Sequence, residues 1–285
     1  MQARLKKIGD NTNIKEMKPV SGGDINQAFY VRTETREYFV KKNQDVPADF
    51  FQKEAEGLEH IRRTNTIRVP KVYSYDNVSF GEEKYLIMEW IEGEKSKATG
   101  HLLGEQLAQL HLTETSPQYG MHGSTFVGEI TQPNDFYDDW LTYYREKRLQ
   151  PQLEIGINKG TITMERREHF EKLLQRIDQY IPKYPRVSLL HGDLWGGNWI
   201  TGHNGLPYLI DPSIVYGDHA FEIAFTELFG GFPSDFYKSY QHFYPLPDYY
   251  DEIKPLYQLF YLLLHLNLFG ESYGASVDHI LRRYT

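Results

Sequence analysis

A chain of 285 residues with 31 Lys and Arg against 39 Asp and Glu carries a net charge of −8, which excludes a general nucleic-acid binder held by phosphate contacts. It has no cysteine, so disulfides, thiolate catalysis and cysteine-ligated zinc are excluded outright. Hydrophobic (40%) and charged (25%) shares suit a soluble domain with a sizeable core, while 22 Tyr, 16 Phe and 4 Trp are an excess that serves packing first and ligand walls second.

The first ten residues lack the apolar run of a signal peptide. From Met17 to about Ile91 the sequence is strand-rich. Residues 27–32 and 36–41 are β-prone runs separated by a polar turn, a hairpin signal, and 71–75 and 84–90 add two more strands. Between these pairs, Phe51, Ala55, Leu58 and Ile61 follow helical spacing and predict a helix over 49–62. Beyond Gly93 the texture changes. Leu103, Leu107 and Leu110 begin a helical series, and helices fit 135–149, 164–180, 220–229 and most of the chain from Tyr249. One β insert interrupts this half: 198–201, a turn at 202–205, then 207–210. The most apolar stretch, 256–269, is too short for a bilayer and is interrupted by Gln258, His265 and Asn267, so it reads as a buried helix. No membrane partner and a cytoplasmic location are expected. The whole is an α+β chain with a strand-rich N-terminal lobe (1–93), a thin connection near 91–97 and a helical C-terminal lobe (94–285). That is the outline of a bilobal protein-kinase-like fold.

The strongest chemical signal is His191-Gly192-Asp193-Leu194-Trp195-Gly196-Gly197-Asn198, followed by Ile210-Asp211-Pro212. Phosphoryl transfer needs a carboxylate to orient a hydroxyl and take its proton, and oxygen ligands to hold magnesium against the phosphates. Asp193 fits the first role; Asn198, five residues on, and Asp211, after the next hairpin, fit the second. Asp, Gly and Asn are also ordinary turn residues. Against that bland reading stand the apolar lead at 187–190, which points the loop out of a core, and the hairpin that returns Asp211 to the same place. Upstream, Gly22 and Gly23 stand between strand candidates, where a loop could fold over phosphates. Lys41 ends a strand where a kinase places its α/β-phosphate lysine, and alternation sends Lys42 to the opposite face. Of Glu54, Glu56 and Glu59 on the following helix, only Glu54 lies within the apolar stripe, so it is the partner expected for Lys41. Met88, Glu89, Trp90 and Ile91 end the last strand of this lobe, where backbone groups would meet an adenine.

The runs 191–198, Asp211 to Asp218 (DPSIVYGD) and Glu227 to Pro233 (ELFGGFP) resemble the fructosamine/ketosamine kinase family. So do 21–26 (SGGDIN), Asp139-Trp140 with Arg148-Leu149, 256–259 (LYQL), 265–267 (HLN) and Phe269-Gly270. The resemblance runs in order from about residue 16 to residue 283. It implies ATP-dependent phosphorylation of a ketosamine, a fructosamine- or ribulosamine-type adduct that is free or carried on a protein amine, usually at the sugar O3 hydroxyl, with ATP and Mg²⁺ as cofactors and release of the amine afterwards. Position by position it implies Asp193 as proton acceptor, Asn198 and Asp211 as metal ligands, Lys41 and Glu54 as phosphate clamp, and 88–91 as adenine hinge. Trp195 offers a flat wall for a sugar, with packing as the alternative, and Asn134 and Trp140 are further candidates to face substrate. Asp218, just before a helix, is read first as its N-cap, and His191 as a shaper of the loop. Two departures stand out: Asp24 occupies the region where some members carry a redox-active cysteine, and Leu264 replaces a polar residue. The alternatives are a kinase for an aminoglycoside- or choline-like alcohol and a catalytically silent kinase-like binding protein. A monomer is the expected state.

Overall fold

In a computed structural model the described residues are 1–21, 25–113 and 116–285, so Gly22 and Gly23, the glycines expected over the phosphates, lie outside them. A short helix, α1 (Gln2–Lys7), precedes the sheet. Its single buried residue, Leu5, seals one sheet face made by Val31, Tyr38, Val40 and Ile87. One anchor in six residues leaves no periodicity, which is why the sequence gives no sign of this helix.

The sheet follows from strict alternation. β1 (Ile14–Pro19), β2 (Gln27–Thr33), β3 (Glu37–Asn43), β4 (Val72–Tyr75) and β5 (Lys84–Glu89) pair in the order β1-β2-β3-β5-β4, with each neighbouring pair antiparallel. Val40 faces α1, so Phe39 and Lys41 face the other side. There α2 (Phe50–Thr64) packs with Phe51, Ala55, Leu58 and Ile61 buried. The central position of β3 therefore puts Lys41 opposite Ala28 and Leu86, under the helix that carries Glu54.

After Glu89 the chain passes to α3 (Thr99–Thr113), a hairpin of β6 (Thr125–Val127) and β7 (Ile130–Gln132), and α4 (Trp140–Tyr143). This last helix runs through a π-helical turn (Tyr144–Leu149) into α5 (Gln150–Lys159), and α6 (Met164–Arg176) follows. The helix expected over 135–149 thus begins at Trp140 and continues beyond 149. Asp139 sets its start, accepting from Thr142 N–H at 2.8 Å and Thr142 Oγ1 at 3.0 Å.

Two short antiparallel pairs build the next region: β8 (Val187–Leu190) with a later strand, and β9 (Trp199–Thr201) with β10 (Pro207–Leu209). The partner of β8 is β11 (Val215–Asp218). α7 (His219–Leu228), α8 (Ser234–Phe243), α9 (Tyr250–Phe269) and α10 (Gly274–Tyr284) complete the chain. As expected, 256–269 lies in a buried helix, and no described helix is long and apolar enough to cross a membrane. Residue 68, beyond α2, touches the β insert directly: Leu209 N–H donates to Arg68 C=O at 2.9 Å.

Loss of the cap at α4 is a direct test of this boundary. Asp139→Ala should destabilise the fold by about 1 kcal/mol, read as a lower midpoint in thermal or urea unfolding. An unchanged midpoint would show that the cap does not hold the helix start.

Candidate active site

β8 and β11 hold the two ends of a narrow frame, and residues 191–198 loop out of it. His191 is fully buried. Its Nε2 lies 2.8 Å from Ile210 C=O and its Nδ1 lies 3.3 Å from Asp193 N–H. The carbonyl can only accept and the amide only donate, so Nε2 carries the ring proton and Nδ1 is the acceptor. Burial holds this imidazole below its ordinary pKa, which agrees with the neutral form. His191 therefore shapes the loop, as expected, with both ring nitrogens committed. The Asn198 amide then closes the loop, donating to Asp193 C=O at 2.7 Å and to the Asp193 carboxylate at 3.0 Å. Ile210 N–H donates to Asn198 C=O at 3.0 Å and Ser213 N–H to His191 C=O at 2.9 Å. These bonds tie the segment around Asp211 to the Asp193 loop.

Lys41 joins the sheet to this loop. Its ammonium is 2.8 Å from Glu54 and also bonds Asp211. Glu56 and Glu59 instead pair with Lys53, Arg62 and Arg63 at the surface, and Lys42 pairs with Glu83. Glu54 shares its helix face with Gly57. A Cβ at Gly57 would stand 3.0 Å from Pro212 Cγ, so the missing side chain lets α2 sit on the residue after Asp211. Asp211 itself has φ +57°, a left-handed conformation that Asp tolerates better than most side chains.

Three carboxylates, two of them on the one Lys41 ammonium, leave two negative charges uncompensated if all ionise. Burial, and then the charge on Asp211, push the Asp193 carboxyl well above its ordinary range, against the pull of the Asn198 amide. Burial also pushes Asp211 up, but the Lys41 ammonium more than reverses it and keeps this carboxylate ionised. Glu54 is raised, first by burial and then with Lys41 opposing the charge of Asp211. Such a set of hard oxygen donors with surplus negative charge fits magnesium, which takes one or two protein oxygens and leaves its other positions to phosphate and water. The Asn198 Oδ1 has no hydrogen-bond partner among the described residues, and no described group of three or more His, Cys, Asp or Glu forms a closed metal cage.

β5 ends at Glu89, so Trp90 and Ile91 of the expected hinge follow the strand rather than end it. Met88 is buried, and Glu89 is bound to Lys71 through its own N–H (2.8 Å) and its carboxylate (3.1 Å). The Trp90 ring packs against Tyr30 and Phe39, with Nε1 on Glu92. Ile91 N–H has no hydrogen-bond partner among the described residues.

On the side of the expected substrate, Trp195 is 42% exposed. Trp140 is 0% exposed: its ring packs among Tyr143, Tyr144, Phe221 and Tyr257, and its Nε1 donates to Tyr257 Oη at 2.9 Å. It is a core residue, which corrects the expectation that it faces substrate. Asn134 is buried too, accepting from Tyr143 Oη (2.6 Å) and Arg148 (2.9 Å) and donating to Gly123 C=O and Thr125 Oγ1. Its amide is spent on the loop that precedes α4. Asp218 is the N-cap of α7, accepting from Ala220 N–H at 3.0 Å, and it also accepts from Tyr257 Oη.

Several residues of this region were not legible as such. The two Gly pairs of the sequence motifs meet backbone to backbone: a Cβ on Gly231 would lie 2.7 Å from Gly196 Cα. A ring cluster of Phe229, Phe269 and Tyr273 surrounds His265 at 4.7–5.6 Å. Glu222 is fully buried beneath the Asp193 loop and accepts its backbone amides. A carboxylate inside the apolar run 220–225 was the available signal, since such a group is tolerated only with partners.

A sequence model of the family described as fructosamine kinase matches residues 1–285. A protein of Enterococcus faecium named "Probable ketoamine kinase" is 39% identical over 267 residues, covering 93% of this chain and 94% of that one. The crystal structure of a Haemophilus somnus 129PT protein, provisionally assigned as a fructosamine-3-kinase, superposes with a TM-score of 0.88 at 30% identity and covers 99% of this chain and 95% of its own. An aminoglycoside phosphotransferase in complex with ADP and hygromycin B matches at TM-score 0.65 and 17% identity, over 98% of this chain and 97% of that one, which shows a shared kinase-like fold alone. A match over its whole length, together with these relatives, places the chain in the fructosamine kinase family.

Proposed function

We propose that this chain transfers the γ-phosphoryl group of ATP to a ketosamine hydroxyl, that of the sugar O3, and that Asp193 orients the hydroxyl and takes its proton. As a member of its family the chain is an ATP-dependent ketosamine kinase; the finer assignments are our reading. One observation carries them: the Lys41 ammonium bonds both Glu54 and Asp211, while Asp211 is tied to the loop that holds Asp193 against Asn198. The bond from O3 to the γ-phosphorus forms as the bond to the β–γ bridging oxygen breaks; ADP leaves and the proton passes to Asp193. A carboxylate whose proton affinity is raised by burial suits that task, because its affinity approaches that of the forming acid–base pair. Asn198, donating to the same carboxylate, fixes which oxygen remains free.

Magnesium, when bound, would neutralise charge between the phosphates, and Asn198 Oδ1 with the Asp211 carboxylate would hold it. Lys41 would bind the α- and β-phosphates while Glu54 keeps its ammonium in place. The backbone of 88–91 would receive the adenine, with Ile91 N–H as the available donor. Trp195, exposed two residues from Asp193, supplies a flat wall for the sugar. In this reading the chain divides near Gly93 into a nucleotide-binding part (1–93) and a catalytic, substrate-binding part (94–285). A 3-phosphate formed this way is unstable, and its breakdown frees the amine.

Removing the proton acceptor tests the core of this reading. Asp193→Ala should lower kcat by about 10² or more while ATP binding persists; a near-normal rate would remove Asp193 from the chemistry. Lys41→Ala should weaken nucleotide affinity by about tenfold or more, since a buried charge-assisted contact is lost, and an unchanged ATP KM would show that another cation holds the phosphates. ATP consumption measured with fructoselysine, ribuloselysine, an aminoglycoside and choline tests the acceptor. Turnover is expected with one or both sugar-amine adducts, and turnover with choline alone would refute the ketosamine assignment.

A further inference from the structure

The helix that follows β11 carries a carboxylate the chemistry described above does not use. Glu222 is 0% exposed, on α7, directly under the Asp193 loop. One of its oxygens accepts from His191 N–H at 3.1 Å and the other from Gly192 N–H at 2.6 Å. Together these are the two amides that immediately precede Asp193. The first oxygen also contacts His111 Nε2 at 2.8 Å, from a residue 111 positions earlier on α3. His111 Nδ1 lies 2.8 Å from Tyr240 Oη, and the same hydroxyl lies 2.9 Å from His219 Nδ1. His111, Tyr240 and His219 are all buried, so these bonds have no water to replace them.

Proton bookkeeping fixes the Glu222 end of this chain. Tyr240 has one proton to give and two imidazole nitrogens to satisfy, so it donates to one and accepts from the other. In either arrangement Glu222 can only accept, and His111 must present Nε2–H to it. The carboxylate thus receives two backbone amides and one imidazole N–H, close to the full capacity of a buried carboxylate. Burial alone would raise Glu222, and the His111 bond with its charge reverses that and holds it ionised. The elements joined here are distant in sequence: α3, the 191–198 loop, α7 and α8.

We propose that Glu222, fixed by the His111–Tyr240–His219 chain, is a positioning residue that sets the reach of Asp193 by gripping the amides of His191 and Gly192. It touches neither nucleotide nor acceptor. Its effect on turnover passes through the backbone that carries the Asp193 side chain, where a displacement of about 1 Å can cost about 10²-fold in rate. This inference rests on Asp193 being the proton acceptor.

Glu222→Gln replaces one accepting oxygen with a donor and confronts an amide N–H with an NH₂ group. The expected result is a kcat lower by about 10- to 100-fold, with ATP Kd and ketosamine KM within about twofold of the parent protein. His111→Leu, which leaves the carboxylate without its side-chain donor, should lower kcat in the same sense, and His111→Gln, whose amide can still donate, should recover most of the loss. In a cycle with Asp193→Asn, adding Glu222→Gln should cost little further, because a positioned group that no longer acts cannot be mispositioned. A folded Glu222→Gln protein with kcat within about twofold of the parent overturns the proposal. So does a parallel loss of ATP affinity, which would mark general loosening, and so do costs that multiply in the double variant. If Glu222→Gln does not fold, the histidine pair decides: equal rates for His111→Leu and His111→Gln overturn it. A near-normal rate for Asp193→Asn alone is a different outcome, since it sinks the proton-acceptor reading on which Glu222 depends.

Discussion

Crowding of like charge is the constraint on which this site depends. Glu54 and Asp211 share the one Lys41 ammonium, Asp193 stands on the loop tied to the Asp211 segment, and each uncompensated buried charge costs several kcal/mol. Left to itself such a group would spread apart or take up protons. It stays together because each member is held from outside the cluster: Lys41 by the centre of a sheet, Glu54 by the phase of α2, Asp193 by the Asn198 amide. Burial first, and then the charge on Asp211, raises the proton affinity of Asp193, the one carboxylate of the three that has no ion pair with Lys41.

Close backbone approach does the remaining work of assembly. Gly57 lets α2 rest on Pro212, so the helix that carries Glu54 packs directly on the residue after Asp211. Gly196 and Gly231 meet with no side chain between them, which joins the end of the Asp193 loop to the segment after α7. These contacts explain in packing terms why Gly196 and Gly231 are glycines: a Cβ on either would have to displace backbone rather than a flexible side chain.

The aromatic excess divides along the same lines. Trp140, Tyr143, Tyr144, Phe221, Tyr257 and Tyr261 form one buried stack between α4, α7 and α9, and Tyr261 reaches through it to donate to Gly192 C=O at 3.1 Å. Trp195, Phe229 and Phe269 remain exposed at the other side. Nothing in a tryptophan's sequence neighbourhood separates the buried Trp140 from the exposed Trp195.

Local rules were enough for a good part of this molecule. Alternation put Lys41 and Lys42 on opposite faces, helix phase distinguished Glu54 from Glu56 and Glu59, a hairpin returned Asp211 toward Asp193, and the position of Asp218 before an apolar helix marked a cap. All of these depend on periodicity or spacing within some twenty residues, which a sequence displays directly. Tertiary structure alone decided the rest: the burial of Trp140 and Asn134, the docking of α1 through Leu5, the meeting of Gly196 with Gly231, and the chain from His219 to Glu222. Each of those joins segments far apart along the chain, and the energy that makes them comes from desolvation and shape at a contact that no local pattern encodes.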